Sequence, residues 1–240
     1  MTYKFVGNEE DVNTFFDMHI KNSFGGFLIL PLARRKYYLS LSDSQINIST
    51  KIVYKESDLL NELQRYEVAI GLYKDKNGAI PNEAFGMYLS ANPMDELEGF
   101  FSFQKDMLER IRQHINGNET NLNRIMSIFK SHLHKTVLQR YLKLDIDTKE
   151  PKNIEILTDF FKQNGINPYL IIETRGGYHI LLDNVCGSHH SILYKFAKEH
   201  PLFITIEKNG MIVIPGTYQG GFLTRIVTIS QLLIKIENKN

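Results

Sequence analysis

The alternation of apolar and polar residues changes character several times along this chain, and each change predicts an element. An acidic start at Glu9, followed by apolar residues at helical spacing, predicts a helix over 9–21. Runs rich in aromatic and aliphatic residues predict strands over 27–30, 36–41 and 68–73, with a helix over 57–65 and a turn at Lys76-Asn77-Gly78. The segment AFGMYLSA, 84–91, predicts a further strand, closed by Asn92-Pro93. Two long helical patterns follow, over 102–115 and 119–141. In the second, Leu122, Ile125, Met126, Phe129, Leu133, Val137 and Tyr141 recur at steps of three and four, the core-facing stripe of one helix.

From residue 142 the period drops to two. Leu142-Lys143-Leu144-Asp145-Ile146-Asp147 alternates strictly, predicting a strand with one apolar and one polar face. An amphipathic helix over 154–163 stops at Gly165. A strand over 168–174 turns at Arg175-Gly176-Gly177 into a returning strand over 178–183. Ser188 caps a helix reaching about residue 200, and a strand over 202–207 follows. The turn Lys208-Asn209-Gly210 leads to a strand over 211–214, the loop PGTYQGG and a last strand near 222–229. The order β-α-β-β-α-β predicts an α+β fold, a sheet carrying two helices on one face as in RNA-recognition-motif-like palms. This palm would span 142–240, with a mixed α/β N-terminal part, 1–141, packed closely on it.

With 42% hydrophobic and 23% charged residues, the 240-residue chain can bury a core and is not a disordered one. A single cysteine, Cys186, excludes an internal disulfide framework and a Cys-rich zinc site. Because 28 Lys and Arg nearly cancel 27 Asp and Glu, any surface for nucleic acid must be a local patch. The polar, acidic start and the lack of an apolar run of about 20 residues predict no membrane partner and a cytosolic, nuclear or viral-factory location.

Three constellations carry chemistry. Asp145 and Asp147, two apart on a strand, leave the same face, and carboxylates that close repel unless a cation lies between them; hard oxygen ligands suit Mg²⁺ or Mn²⁺. The bland alternative is the solvated side of an edge strand, with Lys143 on the same face. In E-T-R-G-G-Y-H, Gly176 and Gly177 would let a phosphate approach the backbone, and Arg175 and His179 could donate to it; an ordinary hairpin with a core histidine fits as well. Ile214-Pro215-Gly216-Thr217, then Gln219-Gly220-Gly221 and Arg225, reads either as a nucleotide contact or as a bend that needs its glycines. Arg34-Arg35-Lys36-Tyr37-Tyr38 could stack on and neutralise a nucleic-acid strand, or be a strand with a solvated basic end.

Taken in order, an acidic pair on a strand, a helix, a Gly-Gly-x-His hairpin and a Pro-Gly-Thr loop resemble the archaeo-eukaryotic primase superfamily, including its primase-polymerases. The likeness runs from Met87 (MYLSANP, a strand ending in Asn-Pro) to Arg225. It implies catalytic metal binding by Asp145 and Asp147, with Glu207 as third acid and Asp183 as the other candidate for that place. It implies nucleotide binding by His179, with Arg175, Gly176, Gly177 and Arg225 around the triphosphate. The implied activity is template-dependent nucleotidyl transfer with two Mg²⁺ or Mn²⁺ ions, on a single-stranded DNA or RNA template, with nucleoside triphosphates as substrates and a helicase or other replication protein as partner. Two other classes stay open. One is a degenerate primase-like module that binds nucleic acid without catalysis. The other is a rolling-circle nicking endonuclease using His132-Leu133-His134 and Tyr141, against which the helical period speaks: residues two apart on a helix point roughly 200° apart. His189-His190, adjacent in a helical pattern, meets the same objection.

Overall fold

The structure, a computed structural model, describes residues 1–118, 125–183 and 189–232. It is a mixed α+β fold in which two antiparallel sheets pack against each other and helices cover the outer layers. Helix α1, Glu9–Phe15, is capped by the Asn8 side chain, and three acidic residues complement the positive end of its first turn. One π-helical turn, Phe16–Ile20, continues it, so the predicted helix changes pitch midway.

Strand β1, Phe27–Arg34, is the spine of the first sheet; β2, Gln45–Asn47, and β3, Lys51–Val53, pair along one side of it. The strand expected over 36–41 does not form, because the Tyr37 and Tyr38 N–H groups both turn back to the Arg34 carbonyl. Helix α2, Leu59–Gln64, is capped by Asp58. The strand expected over 68–73 is reduced to a single bridge, Thr2 to Ala69, before the chain turns at Gly71 with φ +95°. A small hairpin, β4 Lys74–Asp75 and β5 Gly78–Ala79, precedes β6, Phe85–Ser90, which is buried throughout and pairs with the other side of β1.

Helix α3, Glu96–Ile115, begins earlier than its apolar pattern suggested because Asp95 caps it. Helix α4, Ile125–Lys135, ends earlier than predicted: Val137 bridges to Met94, and Tyr141 opens a strand. Leu122, Cys186 and Ser188 lie outside the described residues.

The second sheet contains β7 Tyr141–Ile146, β8 Leu170–Glu173, β9 Tyr178–Asp183 and β10 Ile204–Glu207, in the spatial order β10-β7-β9-β8. Helices α5, Pro151–Gln163, and α6, His190–Glu199, supply the other layer. The two-residue period decides which side each residue serves. Leu142, Leu144, Ile146, Ile180 and Leu182 pack with Leu157 and Phe161 of α5 and Phe196 of α6. Tyr141, Leu170, Ile172 and Leu181 point the other way and join the core of the first sheet.

The expected division at 141/142 is not kept by the backbone. After β10 the chain returns to the first sheet, where β11, Met211–Val213, and β12, Tyr218–Gln219, pair with β6, and β13, Phe222–Leu223, pairs with β12. The edge of β6 left open by β1 needs partners for its N–H and C=O groups, and this late segment supplies them. A last strand, β14 Arg225–Ile226, crosses to the free edge of β8. Among the described residues no helix is long and apolar enough to cross a membrane.

Candidate functional site

Where the two sheets splay apart they leave a cleft of about 860 Å³, and its two walls come from distant parts of the sequence. One wall is the polar face of the second sheet. Alternation along β7 sends Lys143 and Asp145 to that face, and Asp147, one residue past its end, also lines the cleft. Register then places Asp145 opposite His179 on β9 and Thr205 on β10, and Lys143 opposite Glu207.

His179 is buried, yet it lines the cleft rather than the apolar core. Its Nδ1 accepts the Val213 N–H at 3.0 Å, so in the neutral ring the proton sits on Nε2, which lies 3.4 Å from Asp145 Oδ1. Burial, helped by the nearby Lys143 charge, drives the imidazole down to about 3. It is therefore a neutral N–H donor at physiological pH. Burial works the other way on Asp145, but His179 and Lys143 outweigh it and hold the carboxyl below its ordinary value.

Lys143, itself buried, reaches both acids: Nζ lies 3.3 Å from Asp145 Oδ2 and 2.9 Å from Glu207 Oε2. Glu207 thus arrives at the site through an ammonium group. Among the described residues no three His, Cys, Asp or Glu side chains gather closely enough to cage a metal ion.

The facing wall is cationic. The Tyr37 and Tyr88 hydroxyls are 2.6 Å apart, and Arg34 Nη1 and Gln219 Nε2 donate to Tyr88 at 3.3 and 3.2 Å. Arg34, Lys36 and Arg175 stand 6.0, 5.3 and 5.3 Å from the centre of the Tyr37 ring. Among the described residues none of these three cations forms an ion pair with a carboxylate. Gly220, at φ +58°, makes this assembly possible, since a Cβ there would stand 2.6 Å from Arg175 and 2.8 Å from Tyr37. Carboxylates on one side and unpaired cations on the other suit a ligand that carries phosphates together with a cation.

The remaining sequence candidates divide. Arg175 and Gly176 line the cleft, and Gly177 does not. Arg225 is drawn elsewhere: its Nε donates to the buried Glu173 at 2.6 Å, opposite the cleft-lining pattern expected of a triphosphate contact. In the Pro-Gly-Thr loop, Gly216 abuts the Asn8 carbonyl and Thr217 bonds Ile214, so the loop braces the fold, and Gln219 alone reaches the cleft from it. Asp183 closes the far end of β9, opposite Tyr141, away from the cleft lining. His132 and His134 do not converge: His132 is buried between Ser102 and Asp106, and His134 is exposed. His189 and His190 open α6 in the helical layer.

Within the basic aromatic stretch only Arg34, Lys36 and Tyr37 enter the cleft, while Arg35 binds the Leu41 and Ser42 carbonyls. Sequence reading missed Tyr88 as a site residue and noted Gln219 only within the glycine loop, because only the return of β12 to β6 brings the two together. Comparison with known protein families, with curated proteins and with solved structures finds no match for this chain.

Proposed function

We propose that this protein is a template-dependent nucleotidyltransferase of the primase-polymerase type, extending a nucleic-acid 3′ end or starting primers. The observation that carries the reading is the meeting of Asp145, Asp147 and His179, from two separate motifs, in one cleft whose other wall is cationic. The order β10-β7-β9-β8 with α5 and α6 on one face supports reading the second sheet as an RNA-recognition-motif-like palm.

The donors fit a divalent ion that arrives with its phosphates. Mg²⁺ is commonly held by one or two carboxylates plus phosphate oxygens rather than by an all-protein cage, and Asp145 and Asp147 supply those carboxylates. When bound, Mg²⁺ or Mn²⁺ would neutralise phosphate charge and lower the pKa of an attacking hydroxyl. The chain's own groups do the positioning. Asp145 is kept ionised, the neutral Nε2–H of His179, 3.4 Å from Asp145 Oδ1, would be shared with a phosphate oxygen, and Lys143, anchored by Glu207, fixes positive charge beside Asp145. Arg34 and Lys36 from the facing wall, with Arg175 from the β8–β9 turn, would grip the rest of a triphosphate. In the reaction the 3′ oxygen bonds to the α-phosphorus as the bond to pyrophosphate breaks, with charge stabilisation as the main contribution of the protein.

The test is nucleotide incorporation on a single-stranded template, with and without primer, in Mg²⁺ and in Mn²⁺. Replacing Asp145 and Asp147 by alanine should reduce incorporation to background with the fold intact. His179→Ala should weaken nucleotide binding about tenfold, the worth of one hydrogen bond to a charged group, and leave template binding unchanged. Wild-type incorporation rates in the double variant would refute the assignment. One observation favours a second reading, a non-catalytic nucleic-acid-binding module: Lys143 stands where a third acid would share the cation. Tight single-strand binding with no incorporation in either metal would select that reading.

A further inference from the structure

Helix α3 carries an apolar stripe that the rest of the described chain leaves uncovered. Leu97, Phe100, Phe101, Leu108, Ile111 and Ile115 are each between 43% and 77% exposed. At 100° per residue the six fall within roughly 100° of one another, a single face about five turns long. The opposite face is the one that docks. Gly99 fits against Leu133, Ser102 and Asp106 hold His132, and Phe103 meets Phe129 edge-on, all on α4.

We infer that this stripe is the interface of a homodimer in which two copies of α3 pair antiparallel. Two features point to a second copy in that orientation. The first is charge. Acidic residues open the helix and basic ones close it. Glu98, Lys105 and Arg112, the last also 3.9 Å from Glu109 of its own helix, lie on the same flank of the stripe; in an antiparallel pair crossing near Lys105 each Glu98 faces the other copy's Arg112, with the two Lys105 side chains meeting at the crossing. A parallel pair would set like charges side by side. Flanking charges of this kind choose orientation, while the apolar stripe supplies the affinity. The second is shape. An apolar groove of about 620 Å³ opens beside Leu97 and Phe100, bounded by Phe24, Ile52 and Leu138. At the other end of the helix Ile115 is exposed among the described residues. Antiparallel pairing lays the Ile115 end of each copy over the groove of its mate, closing both exposed apolar regions with one symmetric contact.

This inference does not depend on the proposed catalytic activity. Sedimentation velocity across micromolar concentrations should find a dimer in the wild type and a monomer in Leu108→Glu, with the circular dichroism of the two unchanged. Glu98→Arg and Arg112→Glu should each weaken the dimer about tenfold, and the double charge swap should recover it. A wild type that stays monomeric, or a dimer that survives Leu108→Glu, would overturn the proposal. Failure of the double swap to recover would overturn the antiparallel arrangement and point to a different occupant of the face.

Discussion

Gly176 and Gly177 stand side by side at the hairpin turn for different reasons. A Cβ on Gly177 would lie 1.7 Å from the Ile146 carbonyl oxygen, whereas one on Gly176 would meet nothing within 4 Å. Gly177 is therefore small because the hairpin crosses the end of β7 at backbone contact. Gly177→Ala should destabilise the protein by about 3 kcal/mol, the usual upper cost of overpacking, seen as a lower urea midpoint. Gly176→Ala should change the unfolding free energy by no more than about 0.5 kcal/mol, so any loss of nucleotide binding there reports on the cleft. The sequence marked both glycines as a turn, but only the backbone they meet tells them apart. The same holds for Arg34 and Tyr37. Their types hinted at nucleic acid, yet their place opposite Asp145 follows from sheet packing over more than a hundred residues of chain.

Among the elements, β7 was the most legible, because one strict alternation fixes both its face toward the helices and its face toward the cleft. Helix α5 and the β8–β9 hairpin were legible for the same reason, a clear local period bounded by glycine. Segments that lack a pairing strand or cross an element boundary misled: among the described residues no strand pairs with 36–41, and the apolar step pattern through Val137 and Tyr141 crosses a helix end. What joins the elements is carried by single residues. Asn92, just beyond β6, donates from Nδ2 to the Tyr141 and Lys208 carbonyls and accepts at Oδ1 from the Arg140 and Tyr141 N–H groups. It fixes the start of β7 against the first sheet and hence the height of Asp145 in the cleft. Asn92→Ala leaves these buried groups unpaired and should cost roughly 3 kcal/mol, measured by denaturant unfolding.

At the scale of the whole molecule, acid should loosen the contact between the sheets. His19, on the π-helical turn, is buried among the rings of Phe15, Phe27, Tyr141 and Tyr169, where the first core meets β7 and β8. Burial lowers it from 6.5 to about 3, with the Ala91 backbone pulling partly the other way and the Arg140 charge adding to the drop. Below pH 6.5 the unfolded chain takes up a proton at this ring that the folded chain refuses until about pH 3. Stability therefore falls as pH drops through that window, by roughly 2 kcal/mol at pH 5. His179, depressed in the same direction, adds to the slope. Unfolding curves at pH 7 and pH 5 should show the loss in the wild type and a smaller loss in His19→Phe. An equal loss in both would show that His19 is not the group that titrates.

The return of the chain from β10 to β6 also sets an order of events during synthesis. Until β11 and β12 leave the ribosome, β6 presents an open edge of unpaired backbone groups, the kind of surface that recruits other nascent strands. Pairing across so much intervening chain is slow to find. Met211 and Gln219, from this late segment, also line the cleft. The cleft is then complete only once this late segment has docked, and anything that binds there registers that docking.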